Sequence, residues 1–136
     1  MQLAGYRVRV VPQSTVYHLG GGTLQTDSPT KVFYNHRNNL AMLYKCTSTG
    51  QRLFVAVARP ALDLLAAFSY LVQGRGDNFR AVFRAYRDFF RWHKMLSRKR
   101  RTIRATRKGS AAEHIYRGSV VLRYLFGRRT FAKMMP

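Results

Sequence analysis

The chain has 136 residues, 46% of them apolar, which suits one modest domain with a single core and excludes a disordered tail. It carries 25 Lys and Arg against 5 Asp and Glu, a formal charge of +20, so it attracts polyanions: nucleic acid, anionic lipid or phosphorylated ligands. The acids (Asp27, Asp63, Asp77, Asp88 and Glu113) never fall within three positions of one another, which excludes an Asp-x-Asp metal site, and the single Cys46 excludes an internal disulfide and a cysteine-based zinc site.

The first five residues lack the charged start and apolar run of a signal peptide. Residues 6–11 alternate and are rich in β-branched side chains, which predicts a strand. Pro12 and Gln13 interrupt it, 14–19 read as a second extended segment, and Gly20, Gly21 and Gly22 form a flexible loop. Ser28-Pro29 is a strong helix start, with Ser as cap and Pro at the first helical position. Val32, Phe33, His36, Leu40, Leu43 and Tyr44 then share one face, and 47–50 end that helix. Cys46 at its end reads as a small buried hydrophobe in a protein of a reducing compartment.

Residues 53–72 are the most apolar stretch and approach the roughly 20 residues that span a bilayer. Arg59, Pro60 and Asp63 lie in its middle, and each central charge costs about 2.5–3.5 kcal/mol on insertion scales. The expectation is therefore a break at Arg59-Pro60, then a buried or interfacial helix over 61–72. Gly74-Arg75-Gly76 ends it, and Asp77 or Asn78 caps the next helix.

That helix, over about 78–101, carries two stripes. Phe79, Val82, Phe83, Tyr86, Phe89, Phe90, His93 and Leu96 form the apolar one. Arg80, Arg84, Arg87, Arg91, Lys94, Arg98 and Arg101 stack beside it. A basic amphipathic helix with aromatic residues suits the headgroup layer of a membrane, and the arginine stripe is the expected membrane surface. A nucleic-acid contact is the weaker reading, and a plain solvated face the remaining one. Residues 98–108 read as a frayed helix end and a loop, and 119–126 as a short apolar helix or strand.

Three other features carry candidate chemistry. His18 closes an extended run just before the glycine loop, where a lone histidine is either a functional contact or a structural residue. The loop Gly20-Gly21-Gly22-Thr23 either presents backbone N–H groups to phosphate or acts as a hinge. It lacks the Gly-Lys-Ser/Thr ending of a P-loop. Arg37, beside Asn38, either makes a forked contact with a phosphate or pins the preceding loop through a carbonyl.

In their order, Gly5-Tyr6-Arg7-Val8, Pro12, Val16-Tyr17-His18, Gly20-Gly21-Gly22-Thr23, Ser28-Pro29 and Arg37-Asn38-Asn39-Leu40 resemble the end of the catalytic domain of family-2 glycosyltransferases. The likeness is to the bacterial rhamnosyltransferase-like branch that builds cell-surface polysaccharides, and it runs over about 3–130. From Leu53 on it lies in general character: an Arg-Pro pair, a Leu/Ala-rich helix, a glycine turn and a basic helix.

The resemblance implies a mainly α chain with a short N-terminal β segment, the C-terminal fragment of an α/β, GT-A type enzyme. Residues 1–46 would end the catalytic domain, and 47–136 would form a basic amphipathic helical region. The Asp-x-Asp motif and the catalytic base would lie upstream, with Met1 an internal methionine, so no catalytic residue is expected in this chain. The implied reaction is inverting transfer of a sugar from a nucleotide-sugar donor to a lipid-linked or polysaccharide acceptor. A divalent metal, magnesium or manganese, would serve the complete enzyme and would not be bound by this chain alone. His18 would contact the metal or the donor diphosphate, and Gly20 to Thr23 with Arg37 and Asn38 would lie toward the acceptor. The location would be cytoplasmic, peripheral at the inner face of the cell membrane. The alternative is a small basic protein that binds nucleic acid or membrane without catalysis.

Overall fold

The computed structural model describes residues 2–7, 9, 11–17, 28–108 and 126. Four α-helices follow one another: α1 (Pro29–Cys46), α2 (Thr49–Val72), α3 (Gly76–Arg91) and α4 (His93–Ala105). The chain divides into two compact units, Met1–Arg9 with Thr106–Pro136, and Val10–Ala105. In the first, Gln2–Ala4 form a short 3-10 turn, Gly5 has φ +85°, and Lys108 N–H donates to the Leu3 carbonyl at 3.1 Å. All four helices belong to the second unit, and position 46/47 falls inside it, between α1 and α2.

The chain is mainly helical, and no strand forms among the described residues. That corrects the expected β segment where it is described. Tyr6, Arg7, Arg9 and Val11 lie exposed outside any ladder, because an alternating segment becomes a strand only when a neighbour takes its backbone bonds.

Local signals explain the helix ends. Ser28, in extended conformation, accepts the Lys31 N–H on its hydroxyl at 3.3 Å, and Pro29 opens α1. The Thr47 N–H and hydroxyl both return to the Leu43 carbonyl. Ser48 then starts α2 with a reciprocal cap, accepting Gln51 N–H at 3.3 Å while Gln51 Oε1 accepts Ser48 N–H at 3.4 Å. This Ser-x-x-Gln signal lies inside a stretch read from sequence only as a helix end. Gly74, at φ +71°, closes α2: its N–H reaches Leu71 O and the Arg75 N–H reaches Tyr70 O.

Four further expectations are corrected. α2 runs unbroken through Pro60, although the ring has no N–H to offer Ala56. The residue before α3 is Arg75, without a side-chain cap, in place of Asp77 or Asn78. The basic helix is two helices, parted at Trp92, and the second continues to Ala105 where fraying was expected. Cys46 is exposed. The inward stripe of α1 steps through Val32, His36, Leu40 and Leu43, and Cys46 falls beside it.

α1 and α2 each pack mainly on α3, and α1 also packs on α4. Val32, Ala67, Ala81 and Val82 form the centre, with Phe33, Tyr70, Phe79 and Tyr86 around it. The alanines let the helices approach closely, and they leave a thin core for so large a surface.

Candidate functional site

Asp63 sits in the middle of the most apolar helix and is only 3% exposed. Arg59, one turn earlier, grips it with a fork: Nε to Oδ2 at 2.9 Å and Nη2 to Oδ1 at 2.7 Å. Tyr86 of α3 donates its hydroxyl to Oδ2 at 2.7 Å. His36 of α1 brings Nδ1 to 2.9 Å from Oδ1, off the line of a well-aligned hydrogen bond. One carboxylate thus ties three helices together and neutralises the central arginine. Burial first, then the bond to Asp63, pushes the Tyr86 phenol well above its ordinary value, with Arg59 opposing.

The rest of α2 faces outward. Only Asp63 and Ala67 are buried, whereas Leu53, Phe54, Val57, Leu62, Leu64, Leu65, Phe68, Leu71 and Val72 are all exposed. By length and composition the helix is able to cross a bilayer, at 24 residues and about 36 Å. A continuous exposed apolar face of this extent is the kind of surface that contacts a partner or a membrane.

The apolar stripe of α3 is mostly taken up by packing. Val82 is buried, and Phe79, Tyr86 and Phe89 are half-buried among the helices. Phe83 and Phe90 are the members of the stripe in α3 that remain exposed. The free apolar surface is therefore that of α2, where sequence reasoning placed it on the basic helix. Arg80, Arg84, Arg87, Arg91, Lys94, Arg98 and Arg101 are all exposed, over α3 and α4. Arg80 meets Asp77 at 3.5 Å, a surface pair of little energetic weight.

Arg37 is held inside the helical unit. Its guanidinium carbon lies 4.3 Å from the Trp92 ring centroid and 4.8 Å from that of Tyr34, and Nη1 approaches Asp88 at 3.9 Å. Nε and Nη2 both donate to Asn38 Oδ1. The residue stacks α1 against the α3–α4 junction, a role the sequence did not indicate. His18, Gly20, Gly21, Gly22 and Thr23 lie outside the described residues. Among the described residues no three His, Cys, Asp or Glu side chains gather as metal ligands. Compared with models of known families, with curated proteins and with solved structures, the chain matches none.

Proposed function

We propose that the chain is the membrane-facing C-terminal region of an inverting glycosyltransferase that transfers a sugar from a nucleotide-sugar to a lipid-linked or polysaccharide acceptor. The observation that carries its membrane part is the apolar surface of α2 joined to the cationic α3 and α4. The transferase part is supported by the ordered motifs from Gly5 to Leu40.

α2 lies in the plane of the interface. It packs along α3 through Ala67 and Tyr86, so a spanning α2 would carry Arg80, Arg84, Arg87 and Arg91 into hydrocarbon. At about 2.5–3.5 kcal/mol each, those four charges oppose a span. Lying flat, α2 buries its leucines at the acyl boundary while the arginines meet anionic headgroups, their stems snorkelling. Acid–base and metal chemistry belong to the upstream domain in this reading. A magnesium or manganese ion held there would supply charge for the leaving diphosphate, and no residue of the helical unit is given a part in holding it.

The experiment has two parts. The purified chain alone is expected to turn over no nucleotide sugar. In the complete enzyme His18→Ala is expected to lower turnover and weaken metal dependence, and full activity at limiting manganese would make His18 structural. The second reading, a basic membrane-binding protein without chemistry, shares the α2 surface. A stop codon and ribosome-binding site beside the Met1 codon would favour it over an open frame with an Asp-x-Asp domain.

A further inference from the structure

A cavity of about 420 Å³ opens between the later part of α1, the first half of α2 and the α3–α4 junction. It exists because α1 and α2 each pack mainly on α3 and little on one another. Leu40 and Leu43 of α1, Val55 and Pro60 of α2, and Phe89 and Phe90 of α3 give it apolar walls. Facing side chains with no partner across a gap forfeit dispersion contacts, which an apolar occupant restores.

The polar groups of the lining are few, and most are already committed. Arg59 is held by Asp63, with Nη2 at 2.7 Å from Oδ1. Tyr86 gives its proton to the same carboxylate. The Tyr44 hydroxyl lies 2.8 Å from Ser97 Oγ and 3.2 Å from Nε2 of His93. Arg52 is different: it lines the cavity, is exposed, and has no ion-pair partner among the described residues. An apolar space with one uncommitted cation beside it suits a small amphiphile with a single negative charge.

We infer that the cavity binds a single-chain carboxylate, a free fatty acid, with its tail between the three helices and its carboxylate on Arg52. Both carboxylate oxygens accept from the guanidinium fork. At roughly 30 Å³ per water-sized group, the cavity holds about fourteen such groups, the heavy atoms of dodecanoate. That is room for one acyl chain and not for the two of a phospholipid. This binding is independent of the transferase reading and of the face that α2 turns to the membrane.

The test is titration calorimetry of the full chain with dodecanoate, octanoate and dodecanol, all kept monomeric. Dodecanoate is expected to bind once per chain and at least tenfold more tightly than dodecanol. It should exceed octanoate by roughly a hundredfold or more, at about fourfold per buried methylene. Arg52→Gln, at an exposed position, should weaken dodecanoate tenfold or more and leave dodecanol unchanged. Val55→Trp, which fills the cavity, should weaken both with far-ultraviolet ellipticity unchanged, and Arg52→Gln decides the site even if that variant does not fold. Equal binding of dodecanol and dodecanoate, indifference to Arg52→Gln, or equal competition by phosphatidylglycerol would overturn the site. So would loss of binding in Leu65→Ser with none in a folded Val55→Trp, which would put the tail on the exposed face of α2.

Discussion

The Tyr86 hydroxyl donates to Asp63 Oδ2 at 2.7 Å, and this one bond fastens the most apolar of the described helices to the arginine-striped α3. Arg59 and His36 complete the shell around the carboxylate. The polar residues that looked like obstacles in a hydrophobic stretch are thus the means by which α2 is docked, leaving its leucines free.

Removing either partner should therefore be costly. Tyr86→Phe deletes one hydrogen bond to a buried charge and is expected to lower stability by about 1.5–3 kcal/mol. Asp63→Ala leaves Arg59 uncompensated and should lose about 3–5 kcal/mol. Urea denaturation followed by far-ultraviolet ellipticity measures both, and losses within 0.5 kcal/mol, as at an ordinary surface position, would remove the network from the stability of the fold.

The same bond makes stability depend on alkaline pH. The Tyr86 pKa is raised in the fold above its ordinary 10.0. Its contribution is then fully present below pH 10, shrinks as the unfolded chain ionises above it, and is lost as pH rises through the folded value. Wild type should lose urea resistance above pH 10 more steeply than Tyr86→Phe. Parallel curves would show that Tyr86 titrates alike in both states.

Pro60 offers a test of the continuous α2. Because the helix already passes through this position, Pro60→Ala restores an N–H for Ala56 without adding helix. Stability should rise by about 1–3 kcal/mol with mean residue ellipticity at 222 nm unchanged. A clear gain in ellipticity would mean that the helix is broken at Arg59-Pro60 in solution.

Membrane binding should need both α2 and α3. Leu62→Ser, Leu65→Ser and Phe68→Ser together remove exposed side chains worth about 1.5–3 kcal/mol each if fully buried in lipid. Arg84→Gln, Arg87→Gln and Arg91→Gln together should lose about 3 kcal/mol, at about 1 kcal/mol per charge, and mainly at low salt. Co-sedimentation with neutral and anionic vesicles distinguishes the two sets. Equal binding to both vesicle types, or tighter binding to single-stranded nucleic acid, overturns the membrane reading.

The exposed Cys46 is the single thiol of the chain. A maleimide should label the native protein as fast as the urea-unfolded one. Strong protection in the native state would return Cys46 to the interior.

Sequence alone determined the helix signals whose cause is local. Ser28-Pro29 starts α1 because a hydroxyl and a ring supply what a first turn lacks, and Gly74 ends α2 because it adopts positive φ without strain. The four-residue spacing of Val32, His36 and Leu40 placed the inward face of α1, and the charge of +20 required a surface crowded with cations. Only the tertiary structure decided what those features meet. Whether Pro60 breaks a helix depends on the contacts that hold both sides of it. Whether Asp63 is a penalty or an anchor depends on Arg59, His36 and Tyr86, two of which lie more than twenty residues away. The aromatic stripe of α3 had the period of a membrane face and of a packing seam alike. α1 and α2 fill that seam, so it is α2, docked by the one acid in its middle, that keeps its leucines exposed.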